Sequence, residues 1–274
     1  MCYLSAFLFG LVFGSFVNVC SWRIPKGQSV VAPRSTCRSC GKLIRWYDNL
    51  PILSYFILSG KCRECKSKIS LEYPIVELIT GIVFLMIYSR FRNETITTQA
   101  IFLFFALLLV ILSVIDFHHR IIPDVLSYLM MAAGVLFSTF NSFLHESIPS
   151  WVKSAVIMPD SILNILFSII SLITAGMIFY FIAVAGEKLF KKEAMGGGDI
   201  KLIAAIGAYA GIINVFWIIF LSSLIGGISG LILIALGKKK RFDAIPFGPF
   251  ISVAALLVVL LQPGLGRWYF AHFI

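Results

Sequence analysis

Residues 202–237 carry no charged side chain over 36 consecutive positions. A helix crossing a bilayer needs about 20 apolar residues. The run is therefore too long for one crossing helix and suits two, joined by a tight turn expected near 211–214. The rest of the chain agrees. Hydrophobic residues make up 59% of it and charged residues 13%, with a mean hydropathy of +0.95. A soluble domain holds about 25% charged residues, and this chain lacks the polar surface to cover a core in water. A soluble globular fold, intrinsic disorder, a collagen-like chain and a small disulfide scaffold are excluded. The expected fold class is an all-α polytopic membrane protein.

Further uncharged or nearly uncharged runs lie at 1–22, 73–89 (with Glu77 inside), 100–115, 125–144, 161–186 and 244–262. Together with the double run they give about eight transmembrane helices. The first run has no basic residues before its apolar stretch and no small-x-small cleavage site, and Val19 precedes Cys20 where a lipoprotein signal needs a small residue. It is expected to stay as a helix. With eight spans, the long loop at 23–70 shares a side with the segments 116–124, 187–201 and 238–243. Of the 23 Lys and Arg residues, 19 fall on that side and only Arg90, Arg92, Lys153 and Arg267 on the other. Basic residues concentrate on the cytoplasmic side, so the loop is expected in the cytoplasm and both termini outside. Treating 202–237 as a single span would move Lys238, Lys239, Lys240 and Arg241 to the poorer side. The net charge of +10 follows from this bias, and no nucleic-acid partner is expected. The domain reading is a first helix at 1–22, a cytoplasmic loop at 23–70 and a transmembrane core at 71–274. The sequence sets no oligomeric state.

The loop carries Cys37-x-x-Cys40 and Cys62-x-x-Cys65, with 21 residues between the pairs. Two such turns can arrange four thiolates tetrahedrally around one zinc ion. Two disulfides, or thiols without metal, are the other readings, and a reducing cytoplasm disfavours the first. Four thiolates leave no open coordination position, so the zinc is expected to be structural. It would supply the stability that a loop of this size cannot draw from a core. Cys2 and Cys20, at the ends of the first run, read as small apolar residues.

Charges within spans are costly and point to function. Asp116 ends the third run, and Asp199 opens the sixth span directly behind Gly196, Gly197 and Gly198. In the eight-span topology both lie at the cytoplasmic edge of the bilayer. Each alone reads as a boundary acid. Two at matched depth suggest a dyad, because carboxylates that share a site cannot both ionise easily. The ionised member can activate water while the protonated member polarises a peptide carbonyl. The glycines are expected to let the backbone leave a helix before Asp199 and approach a substrate strand. Asp124 reads as the N-cap of the fourth helix. His118, His119 and Arg120 read as a short solvated loop. Lys201 is expected to point away from Asp199. The segment Pro246-Phe247-Gly248-Pro249 reads as an entry turn of the last helix or as a wall of the cleft. Asn18 and Glu77 fall near the same face.

Taken in order, these segments resemble the type IV prepilin peptidase family. The matching pieces are Gly14-Ser15-Phe16-Val17-Asn18-Val19 running on to Arg23-Ile24-Pro25, the paired Cys-x-x-Cys loop, and Tyr73-Pro74-Ile75-Val76-Glu77-Leu78. They continue with Ile115-Asp116 through Ile122-Pro123-Asp124, then Gly196-Gly197-Gly198-Asp199-Ile200-Lys201, then Pro246-Phe247-Gly248-Pro249. Gly-x-Gly-Asp alone is a weak signature; the ordered set spans nearly the whole chain. The resemblance implies that Asp116 and Asp199 form the catalytic pair of a membrane aspartic endopeptidase, supported by Gly196, Gly197, Gly198, Lys201, Asp124, Pro246 and Gly248. It implies prepilin and pseudopilin substrates with a short basic leader, cut after a glycine at the cytoplasmic face of the bacterial inner membrane. It also implies methylation of the new amino terminus from S-adenosylmethionine, with the loop 23–70 as the expected seat of that donor, since no glycine-rich nucleotide fingerprint is present. The short stretch after Asp116 and the basic cluster at 238–241 depart from the pattern without touching a motif position. Asp124, Glu64 and Glu72 are candidates to offset the basic face that a basic leader would meet. Alternatives at this point are a monofunctional preflagellin-type peptidase, a transporter, and a non-catalytic pilus or secretion scaffold.

Overall fold

The computed structural model describes residues 2–191, 196–237 and 245–262. The basic cluster at 238–241, Ala244 and Arg267 lie outside the described residues. The described residues are helical throughout apart from turns and two isolated bridges. The helices are α1 (Tyr3–Arg23), α2 (Leu53–Ile57), α3 (Glu72–Phe91), α4 (Ile96–His119), α5 (Asp124–Leu136), α6 (Ser142–Ser147), α7 (Ser150–Ala155), α8 (Asp160–Phe190), α9 (Gly197–Ala210), α10 (Ile212–Ala235) and α11 (Gly248–Leu261). The chain divides into two compact units, residues 1–115 and 116–274, with the boundary inside α4.

Unit 1 is built on α1 packed along α3. Gly10 and Gly14, spaced as Gly-x-x-x-Gly, let the two backbones close up. A Cβ on Gly14 would lie 2.5 Å from the Glu77 Cα, and one on Gly10 2.8 Å from the Gly81 Cα. Small residues at this spacing drive helix association where lipid supplies no hydrophobic incentive. Phe13 stacks on Phe84 at 5.7 Å beside the contact, and Phe91 stacks on Phe102 at 4.2 Å where α3 hands over to α4. Cys2 is more than a small apolar residue: it is the N-cap of α1, its Sγ accepting the Ser5 N–H at 3.5 Å.

Unit 2 is arranged around α9, whose residues from Leu202 to Ala210 are all buried. Helices α5, α8, α10 and α11 pack against it. Buried hydroxyl and amide groups take up carbonyls at its end. Ser168 donates to the Ala208 carbonyl at 2.9 Å, and Asn141 Nδ2 to the Tyr209 carbonyl at 2.9 Å. The expected turn in the long run is one residue, Gly211, at φ 79° and ψ 157°, followed at once by α10. That backbone region favours glycine, and a Cβ there would also meet the Ser147 hydroxyl at 2.5 Å.

Among the described residues, five helices are long and apolar enough to cross a membrane: α1 with its 3₁₀ extension to Lys26, α3, α4, α8 to Leu189, and α10. Helices α5, α9 and α11 have 13, 14 and 14 residues. Each covers about 20 Å, short of a hydrocarbon core of about 30 Å. Three boundaries differ from the sequence reading. The run at 125–144 does not hold one helix: α5 stops at Leu136, a 3₁₀ turn follows, and Asn141 caps α6 by accepting the Leu144 N–H at 3.0 Å. Helix α4 continues through His118 and His119 and ends where Arg120 turns to φ 54°. Asp124 is the first helical residue of α5 rather than its cap, Pro123 holding the extended cap position, and its carboxylate pairs with Lys201 Nζ at 2.6 Å.

Candidate functional site

Two constellations stand out, one in each unit. In unit 1 the loop between α1 and α3 makes the same turn twice. The Cys37 N–H donates to the Lys42 carbonyl, and the Gly41 N–H returns to the Cys37 carbonyl. In the second turn the Cys62 N–H donates to the Ser67 carbonyl, and the Lys66 N–H returns to the Cys62 carbonyl. Gly41 and Lys66 both take positive φ, at 71° and 59°, and a bridge flanks each turn, Thr36 with Leu43 and Lys61 with Lys68. Each turn presents its two sulfurs on one side. The four ligand atoms of Cys37, Cys40, Cys62 and Cys65 all lie within 4.8 Å of one another, and none of the four is in a disulfide. Backbone N–H groups, that of Cys40 first, hold the Cys37 thiol down to about 6. A lowered thiol favours the thiolate, the form a metal requires. These residues fit a tetrahedral metal site. The Cys37 to Cys65 segment is tied outside the sulfurs by Arg63 to Asp48 at 2.6 Å and Lys42 to Glu64 at 2.8 Å. Arg63 keeps the Asp48 carboxyl below the usual carboxylate range, and Lys42 does so for Glu64.

The loop rests on buried polar groups of the helices. Glu77, 7% exposed, accepts the Ile52 N–H at 2.7 Å. Asn18 donates to the Tyr73 carbonyl at 3.2 Å rather than to Glu77.

In unit 2, Asp116 is 5% exposed and lies one turn inside the end of α4. The turn Pro246–Pro249 leads into α11 and reaches this acid: the Gly248 N–H donates to Asp116 Oδ2 at 2.8 Å. The N-terminus of α11 thus faces a carboxylate, where its dipole favours negative charge. Gly248 must lack a side chain here, since a Cβ would lie 2.8 Å from Asp116 Oδ2. Asp199 is half-buried, in the first turn of α9, and its carboxylate accepts from the Gly196 backbone N–H. Asp116 lies close enough to Asp199 for its charge to be felt there, although the two are 83 positions apart in the chain. The three glycines do less unwinding than expected. Gly197 and Gly198 are already helical and only Gly196 is extended. Gly198 instead allows close approach, a Cβ there meeting the Ile122 Cβ at 2.8 Å. Lys201 points away from Asp199 and pairs with Asp124 at 2.6 Å, tying the start of α9 to the start of α5. Among the described residues the only metal-like cluster is the cysteine set, which does not include His118 or His119.

Residues 8–91 match the bacterial peptidase A24 N-terminal domain, and residues 103–231 match the type IV leader peptidase family. The chain is 30% identical to the prepilin leader peptidase/N-methyltransferase of Aeromonas hydrophila, over 98% of this chain and 93% of that protein. It is 31% identical to the protein of the same name from Pseudomonas aeruginosa, over 97% and 92%. A type 4 prepilin-like proteins leader peptide-processing enzyme of Escherichia coli is 32% identical, over 92% and 91%. No solved structure matches the chain.

Proposed function

The chain belongs to the type IV leader peptidase family, and from that premise we propose that it removes the leader from prepilins and pseudopilins and methylates the amino terminus so exposed. Asp116 and Asp199 carry the cleavage. One shared proton stabilises the pair, which titrates as a unit. The ionised carboxylate takes a proton from water, and the water oxygen attacks the scissile carbonyl. The protonated carboxyl donates to that carbonyl oxygen. Collapse of the tetrahedral intermediate breaks the C–N bond, and a proton passes to the leaving amine. Gly248 fixes Asp116, and Gly196 fixes Asp199. The Asp124–Lys201 pair and the Gly198–Ile122 contact hold the two segments in register. The observation that supports this reading is the electrostatic contact of Asp116 with Asp199, which neither a scaffold nor a transporter with midplane carboxylates requires.

The chain sits in the bacterial inner membrane with eight passes, α5, α9 and α11 completed by their flanking turns. The basic-residue bias puts the cysteine loop and the acid pair on the cytoplasmic side. The substrate's apolar helix enters from lipid while its leader stays in the cytoplasm. Cys37, Cys40, Cys62 and Cys65 hold a structural zinc ion, which clamps the loop and supplies no open position for chemistry. The four-cysteine loop favours the bifunctional enzyme over a monofunctional preflagellin-type peptidase. The test is incubation of purified protein with a prepilin and methyl-labelled S-adenosylmethionine. Leader loss together with label on the mature amino terminus is expected. Cleavage without label would leave a peptidase alone.

A further inference from the structure

The cysteine loop carries an apolar stretch of its own. Residues 50–60 hold no charge, and Asp48 just before them is turned into its pair with Arg63. Within this stretch α2 places Leu53, Phe56 and Ile57 at positions i, i+3 and i+4, on one face of a helix. That face is bare. The three side chains are 60%, 71% and 70% exposed, and Trp46 in the preceding 3₁₀ turn is 72% exposed. Contiguous apolar patches of this kind mark a contact surface.

Two contacts fix the depth of the stretch. Glu77, which accepts the Ile52 N–H at 2.7 Å, lies five residues past the start of α3 at Glu72. Leu50 and Pro51 line one groove with Val12 and Phe16 of α1. Those two stand eleven and seven residues before Arg23, the first charged residue of that helix. At about 1.5 Å per residue, the tip of the stretch lies about 8 Å inside the start of α3 and about 10–16 Å inside the charged end of α1. Both helices are long and apolar enough to cross a membrane, and half of a hydrocarbon core is about 15 Å thick. The backbone at the tip is closed as hydrocarbon requires. Pro51 has no N–H. The Ile52 N–H goes to Glu77, that of Leu53 to the Pro51 carbonyl at 2.6 Å, that of Ser54 to the Leu50 carbonyl at 3.0 Å and that of Tyr55 to the Ile52 carbonyl at 3.1 Å. The Ser54 hydroxyl donates to the Tyr47 carbonyl at 3.2 Å. Ile52, at φ 62° and ψ −53°, is the centre of the γ-turn that reverses the chain there.

From this we infer that residues 46–57 are inserted into the nearer lipid leaflet, with Leu53, Phe56 and Ile57 among the acyl chains and Trp46 at headgroup level. The bare face is covered by the bilayer itself. Two features favour lipid over a protein partner. The stretch is continuous with the exposed side chains of Val12 and Phe16 on α1, a helix that crosses the membrane. Its flanks carry the exposed cations Arg45 and Lys61, which suit anionic headgroups, and tryptophan favours the interface between headgroups and chains. The cysteine loop is thus an interfacial module, wedged into the leaflet at Ile52 and tied there by Glu77. Wedging keeps the turns at Cys37–Cys40 and Cys62–Cys65 close to the membrane surface. Insertion of the segment is independent of the reaction the chain carries out.

The test uses the full-length protein in vesicles of phosphatidylethanolamine and phosphatidylglycerol. Wild type is photolysed with a phospholipid that carries a diazirine partway along its acyl chain. Adducts are expected on peptides covering residues 46–57 as well as on α1 and α3. Adducts on α1 and α3 with none on 46–57 would overturn the inference, and no variant's misfolding can obscure that result. In a second measurement p-acetylphenylalanine replaces Phe56, Ile57 or Ser39 in turn and is joined to a nitroxide, which leaves the cysteines untouched. Oxygen partitions into lipid and should relax the labels at 56 and 57 about threefold more than a water-soluble nickel chelate does, as for an interfacial segment with its apolar face in the acyl boundary. The ratio should invert at Ser39, which is exposed between Cys37 and Cys40. Nickel access at 56 and 57 equal to that at 39 puts the face in water, and exclusion of both reagents puts it against protein. Either result overturns the insertion.

Discussion

The contact between Gly248 and Asp116 gives the sharpest handle on the acid pair, through the substitution Gly248→Ala. A Cβ at this position would lie 2.8 Å from Oδ2, 3.2 Å from Cγ and 3.3 Å from Cβ of Asp116. Contacts to carbon settle near 3.5 Å, so the carboxylate must retreat by roughly 0.5 Å or α11 must tilt. Either response stretches the 2.8 Å bond from the Gly248 N–H, which aims the carboxylate. Displacing a reacting group by about 1 Å costs about 100-fold in rate. The expected loss is therefore about 10- to 100-fold in single-turnover leader cleavage, or about 1.4 to 2.7 kcal/mol of barrier. The effect falls on kcat, since no part of the leader is held by the added methyl. Gly227→Ala, at a site with nothing within 4 Å, serves as the control and cleaves at the wild-type rate. A folded Gly248→Ala protein that cleaves within twofold of wild type would refute the reasoning.

Gly14→Val should force α1 from α3, because the Glu77 Cα lies 2.5 Å from the Cβ position; overpacking of this kind costs about 1–3 kcal/mol, read as a lower melting temperature in detergent, and an unchanged melt would count against the close helix contact. Cys62→Ser should abolish bound zinc, a contribution of about 10–16 kcal/mol to folding a small metal module, while leader cleavage persists; metal analysis showing full zinc in the variant would remove Cys62 from the site. Acidification should release the metal. Protons compete with the metal for all four sulfurs, which bind it as thiolates. Zinc retained after gel filtration should accordingly fall as the pH is lowered, and retention that does not change with pH would contradict the assignment.

Much of this arrangement was legible in the sequence because it is written in charge and spacing. The 36 uncharged positions at 202–237 required a hairpin, and a single positive-φ glycine supplies it. The paired Cys-x-x-Cys spacing foretold a cluster because each pair needs only one local turn. Asp116 and Asp199 stood out in the sequence as isolated carboxylates at the ends of apolar runs. What escaped depends on three-dimensional partners. Hydropathy does not register that the run at 125–144 breaks after Leu136, since apolarity continues through the break; Asn141-Ser142 was the available N-cap signal. Asp124 read as a cap because its partner Lys201 is 77 residues away. Gly10-x-x-x-Gly14 was a readable helix-contact motif, but nothing local named Glu77 as its neighbour. The Gly248–Asp116 bond joins segments 132 residues apart, and no pattern within either one announces it.

The central claim is that Asp116 and Asp199 act together on the scissile bond. Its most direct test is the cleavage of a purified prepilin by Asp116→Asn, Asp199→Asn and the double variant, each confirmed folded by its melt and zinc content. The account predicts that both single variants lose at least about 1,000-fold and that the double variant loses little more, as residues acting as one unit do. Wild-type cleavage by either single variant would contradict it.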